Sequence, residues 1–364
     1  MTILLTPEEE EDDPTVLADD DDDFDFFDGG QLPVAEKEED SPRNIRQQLP
    51  MVDRIFRSTV KVIGTFVLIL TGAIGLFLGY QAFPTFEHYG WGFLTGDKWD
   101  PSKDVLGIAG AIVGTVEVAA VALLIGVPLA LLAALFTSEY CPRRIKPVMV
   151  AIIDLMAAVP SVIYGVWALF VLQTPEIDLA RWINQNFGFI PFFKTDADPN
   201  AAATSVWGRS YYGSVFIAGA IVGIMIVPTA CAVMRGVFDL APIGEREAAY
   251  ALGSTRWGMI RSVVLPFGRG GIVGGTMLAL GRALGETVAV LLVITVVSDV
   301  KFRILSEGTL TISSRIANSF GESSGIQLKA LLAAGFILFC MTLVVNTFAA
   351  VIVSRSRSGA GTDA

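Results

Sequence analysis

An arginine and a glutamate stand four residues apart in an otherwise uncharged run, Gly281-Arg282-Ala283-Leu284-Gly285-Glu286-Thr287. A guanidinium presents a planar fork of N–H donors that suits a tetrahedral oxyanion. On one helix this spacing places both side chains on the same face. Glu286 can then neutralise Arg282 between anions, or accept a hydrogen bond from a protonated anion such as hydrogenphosphate. Sulfate has no proton to offer. A structural ion pair that locks helix packing fits the same spacing, so the residues alone leave both readings open.

Other polar residues lie in apolar surroundings. Glu117, with Thr115 nearby, faces a pathway, pairs with Arg282, or meets a charge on another subunit. Ser161, Tyr164 and Thr287 can offer hydroxyls to an anion or bond neighbouring helices. Asp154 falls near the end of an apolar stretch, where interfacial water can reach it. His88 is the sole histidine, which excludes a multi-histidine metal site. Cys141, Cys231 and Cys340 form no spaced pair and read as small apolar residues.

These groups need a scaffold, and composition says which kind. Of 364 residues, 52% are hydrophobic and 17% charged, against about 25% in soluble domains. The net charge of −11 is misleading, because residues 1–50 alone carry −14 and the rest +3. That acidic stretch, broken by Phe24, Phe26 and Phe27, cannot bury a core and reads as a disordered tail. It lacks the basic start and apolar run of a signal peptide.

Six stretches reach the roughly 20 apolar residues that a bilayer span needs. They are 60–82, 106–137, 148–172, 213–235, 270–297 and 328–354. With both termini cytoplasmic, the inner segments hold 15 Lys and Arg and the outer loops 9, which favours that orientation. Arg282 then lies near the bilayer midplane, where a charge must face protein or water. Pro128, Pro160 and Pro228 fall inside spans two, three and four and predict kinks at similar depth. The longest outer loop, 173–212, predicts a short amphipathic helix near 177–187.

The cytoplasmic loop after span four, within 236–268, reads Gly244-Glu245-Arg246-Glu247-Ala248-Ala249-Tyr250-Ala251-Leu252-Gly253, then Ser254-Thr255-Arg256-Trp257-Gly258-Met259 and on to Leu265-Pro266. It predicts two short helices, the first ended by Gly253 and the second capped by Ser254. Ala248 and Ala249 permit close helix approach, and Trp257 and Met259 offer apolar contact area. The loop is too short to fold as a domain and needs a partner surface. Glu247-Ala248-Ala249, Gly253, Val263 and Leu265-Pro266 together resemble the EAA loop of bacterial ABC-importer permeases, with Val263 where isoleucine is usual. Gly281 to Thr287, and Ala157-Ala158-Val159-Pro160-Ser161-Val162-Ile163-Tyr164-Gly165, are similar to motifs of the phosphate-specific, PstC-type permeases. The likeness spans roughly 60–354.

That resemblance implies an all-α polytopic membrane protein with six transmembrane helices and the type I ABC-importer permease fold. It sets a first span and outer loop (51–105) before a permease core (106–354), flanked by the disordered acidic N-terminal tail and a C-terminal tail (355–364). It implies a multi-pass subunit of the bacterial inner membrane that imports phosphate by alternating access and is not itself an enzyme. Expected partners are a homologous PstA-type permease subunit, an ATPase dimer, an extracytoplasmic phosphate-binding protein and membrane lipid, with no nucleic acid. The chain lacks a Gly-x-x-x-x-Gly-Lys-Ser/Thr loop, so ATP and Mg belong to the partner ATPase and no cofactor or metal to this chain. Gly270, Gly271, Gly274 and Gly275 read as close-packing positions instead. The resemblance implies roles for Arg282 and Glu286 in transport, and for Glu247, Ala248, Ala249, Gly253, Trp257, Leu265 and Pro266 in coupling to the ATPase. Sulfate or molybdate import, and a passive channel or scaffold, are the alternatives.

Overall fold

The structure is a computed structural model that describes residues 51–195 and 211–356. The acidic stretch 1–50 and residues 357–364 lie outside the described residues. The chain divides after Val60 into two units. Of the smaller, only the opening of the first helix is described.

The described residues are almost wholly helical. Exceptions are a small ribbon in which Trp99–Asp100 pairs antiparallel with Val105–Leu106, and the stretch 294–311, where Val296 and Thr309 form an isolated parallel bridge. Helix α1 (Met51–Tyr89) holds 39 residues, roughly 58 Å of helix against a hydrocarbon core of about 30 Å. Helix α2 (Ala109–Leu135) runs on into a π-helical turn, Phe136–Tyr140. Helices α3 (Lys146–Ala158) and α4 (Ser161–Trp167) follow, then a π turn, Ala168–Leu172, and α5 (Gln173–Phe187). Helix α6 (Val215–Phe238) leads to the short α7 (Ile243–Ala251) and α8 (Arg256–Met259). A π turn, Ile260–Val264, and a single turn, Leu265–Phe267, bring the chain to α9 (Arg269–Gly285). Helices α10 (Val288–Val293), α11 (Ile312–Ser319) and α12 (Gly325–Ser356) complete the order.

Five of these helical runs are long and apolar enough to cross a membrane. The segment 256–267 and α9, bent by 67° from each other, pass together and make a sixth when the pair is taken as one span. Two predicted spans are not single helices. Span three breaks at Val159-Pro160, where both residues are extended. A proline clashes with a helical residue before it, and its nitrogen cannot donate to the preceding turn. Pro128 and Pro228, by contrast, sit inside helices that continue through them. Span five also breaks, after Gly285. The helix predicted near 177–187 is α5, which continues from α4 through the π turn as one membrane-length run, Ser161–Phe187, and not as the separate loop helix expected.

The core is built on α6. Of its apolar window 78% is buried inside the chain, against 6% for α1. Helices α2 and α6 pack most extensively, and small residues bring them together: a Cβ at Gly126 would stand 2.6 Å from the Gly223 carbonyl oxygen. The same holds where α9 meets α6, but for only half the predicted glycines. A Cβ at Gly271 would meet the Val237 Cβ at 2.6 Å, and one at Gly275 the Ala230 carbonyl oxygen at 3.0 Å. Gly270 and Gly274 face open space.

Candidate functional site

Arg282 occupies the last turn of α9, three residues before the helix stops. It is half-buried, and its buried Nε has no hydrogen-bond partner. It lines a cavity of about 510 Å³ with Met277, Leu278 and Gly281 of its own helix, Thr229 of α6 and Asn346 of α12. Three helices therefore supply one largely apolar groove in which Arg282, Thr229 and Asn346 are the polar groups. The buried Nε is a polar atom left unpaired among the described residues, while the rest of the half-buried guanidinium borders the groove.

Glu286 is not that partner. Its backbone is extended (φ −67, ψ 128), because the helix has ended at Gly285. The pair does not share a helix face, and no ion pair joins Arg282 to Glu286 among the described residues. The Glu286 carboxylate instead accepts from the Ala289 N–H at 3.4 Å, at the start of α10. Its carbonyl accepts from Ser313 Oγ at 2.7 Å. Thr287 Oγ1 turns back to donate to the Gly285 carbonyl at 3.1 Å. Both residues thus satisfy backbone groups that the break leaves free.

The third-span motif is also a helix break, and the two breaks pack together. Tyr164 Oη donates to the Met156 carbonyl at 2.9 Å, bridging the gap at Pro160. The same tyrosine stands close enough to Arg282 to feel its charge. Ser161 opens α4 in a half-buried position. A Cβ at Gly165 would lie 2.9 Å from the Cα of Ala289, so α4 and α10 touch backbone to backbone. Glu117 is half-buried in α2 and forms no ion pair with Arg282, against one of its predicted options. Thr115 serves the fold: its Oγ1 accepts from the Ile312 N–H at 2.9 Å and so anchors α11. Asp154 pairs with Arg235 at 3.6 Å.

The loop after span four forms the two predicted helices, with two corrections. Gly253 does end α7, with φ +80, a left-handed conformation that glycine adopts without strain. Thr255, not Ser254, caps α8, its Oγ1 accepting from the Gly258 N–H at 3.1 Å. Met259 offers no contact area outward; it is buried in the chain's own core, while Trp257 remains 57% exposed. Glu247 and Ala248 are exposed, and Ala249 is the buried contact of α7. Leu265 is half-buried and Pro266 exposed in the turn before α9. Leu240, Ile243 and Leu252 add exposed apolar surface beside them. A concentration of this kind marks an interaction surface.

Sequence reasoning missed Thr229 and Asn346. The signal was there for Asn346, an amide inside an apolar last span, but nothing local ties it to Arg282. It also missed Glu139, whose partner Arg246 lies far along the chain.

Residues 126–358 match the family model of the binding-protein-dependent transport system inner membrane component. The chain is similar to the phosphate transport system permease protein PstC of Pasteurella multocida, at 36% identity over 317 residues, covering 85% of this chain and 94% of that one. It is as similar, at 36%, to its namesake from Mesorhizobium japonicum, over 90% and 98% of the two chains. PstC 2 of Mycobacterium tuberculosis also shares 36%, over 84% and 93%. Among solved structures, a bacterial ABC transporter for alginate, crystallised with a pentasaccharide-bound periplasmic protein, matches with a TM-score of 0.54 at 19% identity over 84% and 97% of the chains. That last likeness speaks for the fold alone. With the six-span layout and the exposed loop already described, these matches lead to one conclusion: the chain belongs to the family of binding-protein-dependent transport system inner membrane components.

Proposed function

We propose that this chain is a permease subunit of an ATP-driven importer for inorganic phosphate, and that it forms half of the translocation pathway by alternating access. The observation that carries this reading is Arg282, a guanidinium without an acidic partner among the described residues, in a groove shared by α6, α9 and α12. It offers a transient site to an oxyanion, and binding there stays weak enough for release. Thr229, Asn346 and Tyr164 are neutral hydroxyl and amide neighbours that can follow the anion without neutralising the arginine. Glu286 and Thr287 act by shaping the break beneath it, and Ser161 opens the facing one. Glu117 stands as a further polar group of the pathway.

The choice of phosphate rests on the relatives, which are named phosphate transport permeases. Arg282 by itself suits any tetrahedral oxyanion, and Glu286, with one carboxylate oxygen turned to the Ala289 N–H, does not stand as its ion-pair partner among the described residues. A PstA-type subunit would complete the pathway. An ATPase dimer carrying ATP and Mg would dock on the exposed loop from Glu247 to Pro266, and an extracytoplasmic phosphate-binding protein would deliver the substrate. Both termini would be cytoplasmic, as the Lys and Arg distribution favours. A passive channel gives no account of the exposed coupling loop.

The test is radiolabelled phosphate uptake at low external phosphate, in cells with and without this chain. Uptake that needs the chain and yields to unlabelled phosphate, but not to sulfate or molybdate, is the expected result. Competition led by sulfate or molybdate would overturn the substrate.

A further inference from the structure

The π-helical turn Phe136–Tyr140, at the end of span two, is held by the coupling loop from two directions. Arg246 of α7 places Nη1 2.9 Å from Glu139 Oε1, and the Glu139 side chain is only 5% exposed. The same guanidinium donates through Nη2 to the Phe238 carbonyl at 2.6 Å, at the last residue of α6. From the second coupling helix, Arg256 lays its guanidinium over the Tyr140 ring, 5.2 Å from the centroid. The grip extends sideways. Ser138 Oγ stands 3.1 Å from Glu139 Oε1 and 3.0 Å from Asp239 Oδ1, able to donate to one of them. Lys146 at the start of α3 pairs with Asp239 at 2.9 Å.

These contacts matter because α7 has little else to hold it. Glu245, Glu247, Ala248, Tyr250, Ala251 and Leu252 are all exposed. Ala249 gives a small apolar contact that fixes no direction. The chain leaves α7 through Gly253, whose left-handed backbone turns it toward α8, and α7 packs there against α8 and the π turn Ile260–Val264. A push or pull on α7 has a direct polar route to the spans through Arg246, whose planar fork is committed to two acceptors on two spans. The receiving element is a π turn, a local irregularity of a sort often found at functional sites.

We infer that Arg246 and Glu139, assisted by Arg256 and Tyr140, are positioning residues that transmit motion of the coupling helices to spans two and four. This rests on the permease reading above. Glu139 lies outside the exposed docking surface, so its role is transmission, separate from holding the ATPase.

The test uses the complete transporter, reconstituted with its ATPase, partner permease and phosphate-loaded binding protein. Three quantities are read: ATPase co-purification, ATP hydrolysis, and phosphate transported per ATP. In Glu139→Gln and Arg246→Gln the ATPase should still co-purify and hydrolyse ATP, while transport per ATP falls about tenfold or more. The double variant should be no worse than the poorer single, since both break one link. Arg246→Lys should recover part of the loss, because an ammonium can still pair with Glu139. Should the Gln variants fail to accumulate, Arg246→Lys and Arg256→Leu carry the test, each expected to lower transport per ATP severalfold. Unchanged transport per ATP, or a loss that only tracks departure of the ATPase, would overturn the inference. A wild-type complex without phosphate-dependent transport would instead sink the permease reading, and this inference with it.

Discussion

Gly165 and Ala289 meet so closely that a single methyl group cannot be added between them: a Cβ on Gly165 would lie 2.9 Å from the Ala289 Cα and 2.9 Å from Leu292 Cδ1. This contact seats the broken third span on the broken fifth. It sets Tyr164 on one side and the Glu286-Thr287 break on the other, beneath Arg282. Because the nearest atom is backbone, the neighbour cannot swing aside. Gly165→Ala should cost about 1–3 kcal/mol through overpacking and lower phosphate uptake, read as a drop in the thermal stability of the purified complex.

A second pair of glycines supplies its own control. Gly271 and Gly274 lie within one turn of α9, yet only Gly271 abuts another helix. Gly271→Ala should destabilise by about 1–3 kcal/mol. Gly274→Ala should be neutral or stabilise by up to about 1 kcal/mol, as alanine does in a helix interior. Thermal unfolding of the two variants in parallel checks the difference.

The loop surface gives a prediction about assembly. Trp257 is 57% and Leu252 88% exposed, and neither supports the chain's own core. Trp257→Ala should weaken ATPase binding by about 2 kcal/mol or more, as buried aromatic anchors do at interfaces. Leu252→Asp should act in the same direction. Co-purification of the ATPase measures both, and the variants themselves should accumulate normally.

Asp104 ties the ribbon to the end of α1. Its Oδ1 accepts from Tyr89 Oη at 2.6 Å, and its Oδ2 stands 2.8 Å from His88 Nε2. The Tyr89 hydrogen bond, followed by that of His88, holds its carboxyl below the usual carboxylate range. A depressed pKa stabilises above the unfolded value and fades as pH falls through the folded one. The tie should therefore persist at neutral and mildly acid pH and be lost only in strong acid, below about pH 4. Asp104 also has φ +56, where asparagine is tolerated and alanine strained. Asp104→Asn should loosen the ribbon less than Asp104→Ala, read by hydrogen exchange of residues 99–106.

Much of this was legible in the sequence, for identifiable reasons. Spans follow from apolar length, and Gly253 announces where a helix stops; Pro160, predicted to kink span three, instead breaks it. Arg282 was conspicuous as a charge in an apolar run. Glu286 was misread because helical periodicity carries straight through Gly285, and what breaks the helix there is tertiary: the Ser313 hydroxyl takes the Glu286 carbonyl. Asn346 and Thr229 reach Arg282 only through the packing of three helices. The Arg246–Glu139 pair joins residues more than a hundred positions apart, which no local pattern encodes.

The most direct measurement concerns Arg282 itself. Phosphate transport into proteoliposomes would be compared between the wild-type complex and Arg282→Ala, with assembly and ATPase content verified in both. Loss of charge-assisted hydrogen bonds worth about 1.5–3 kcal/mol predicts a fall of roughly 10- to 100-fold or more in an intact complex. An intact Arg282→Ala complex that carries phosphate at the wild-type rate would contradict the account, and a variant that fails to assemble would return Arg282 to a role in helix packing.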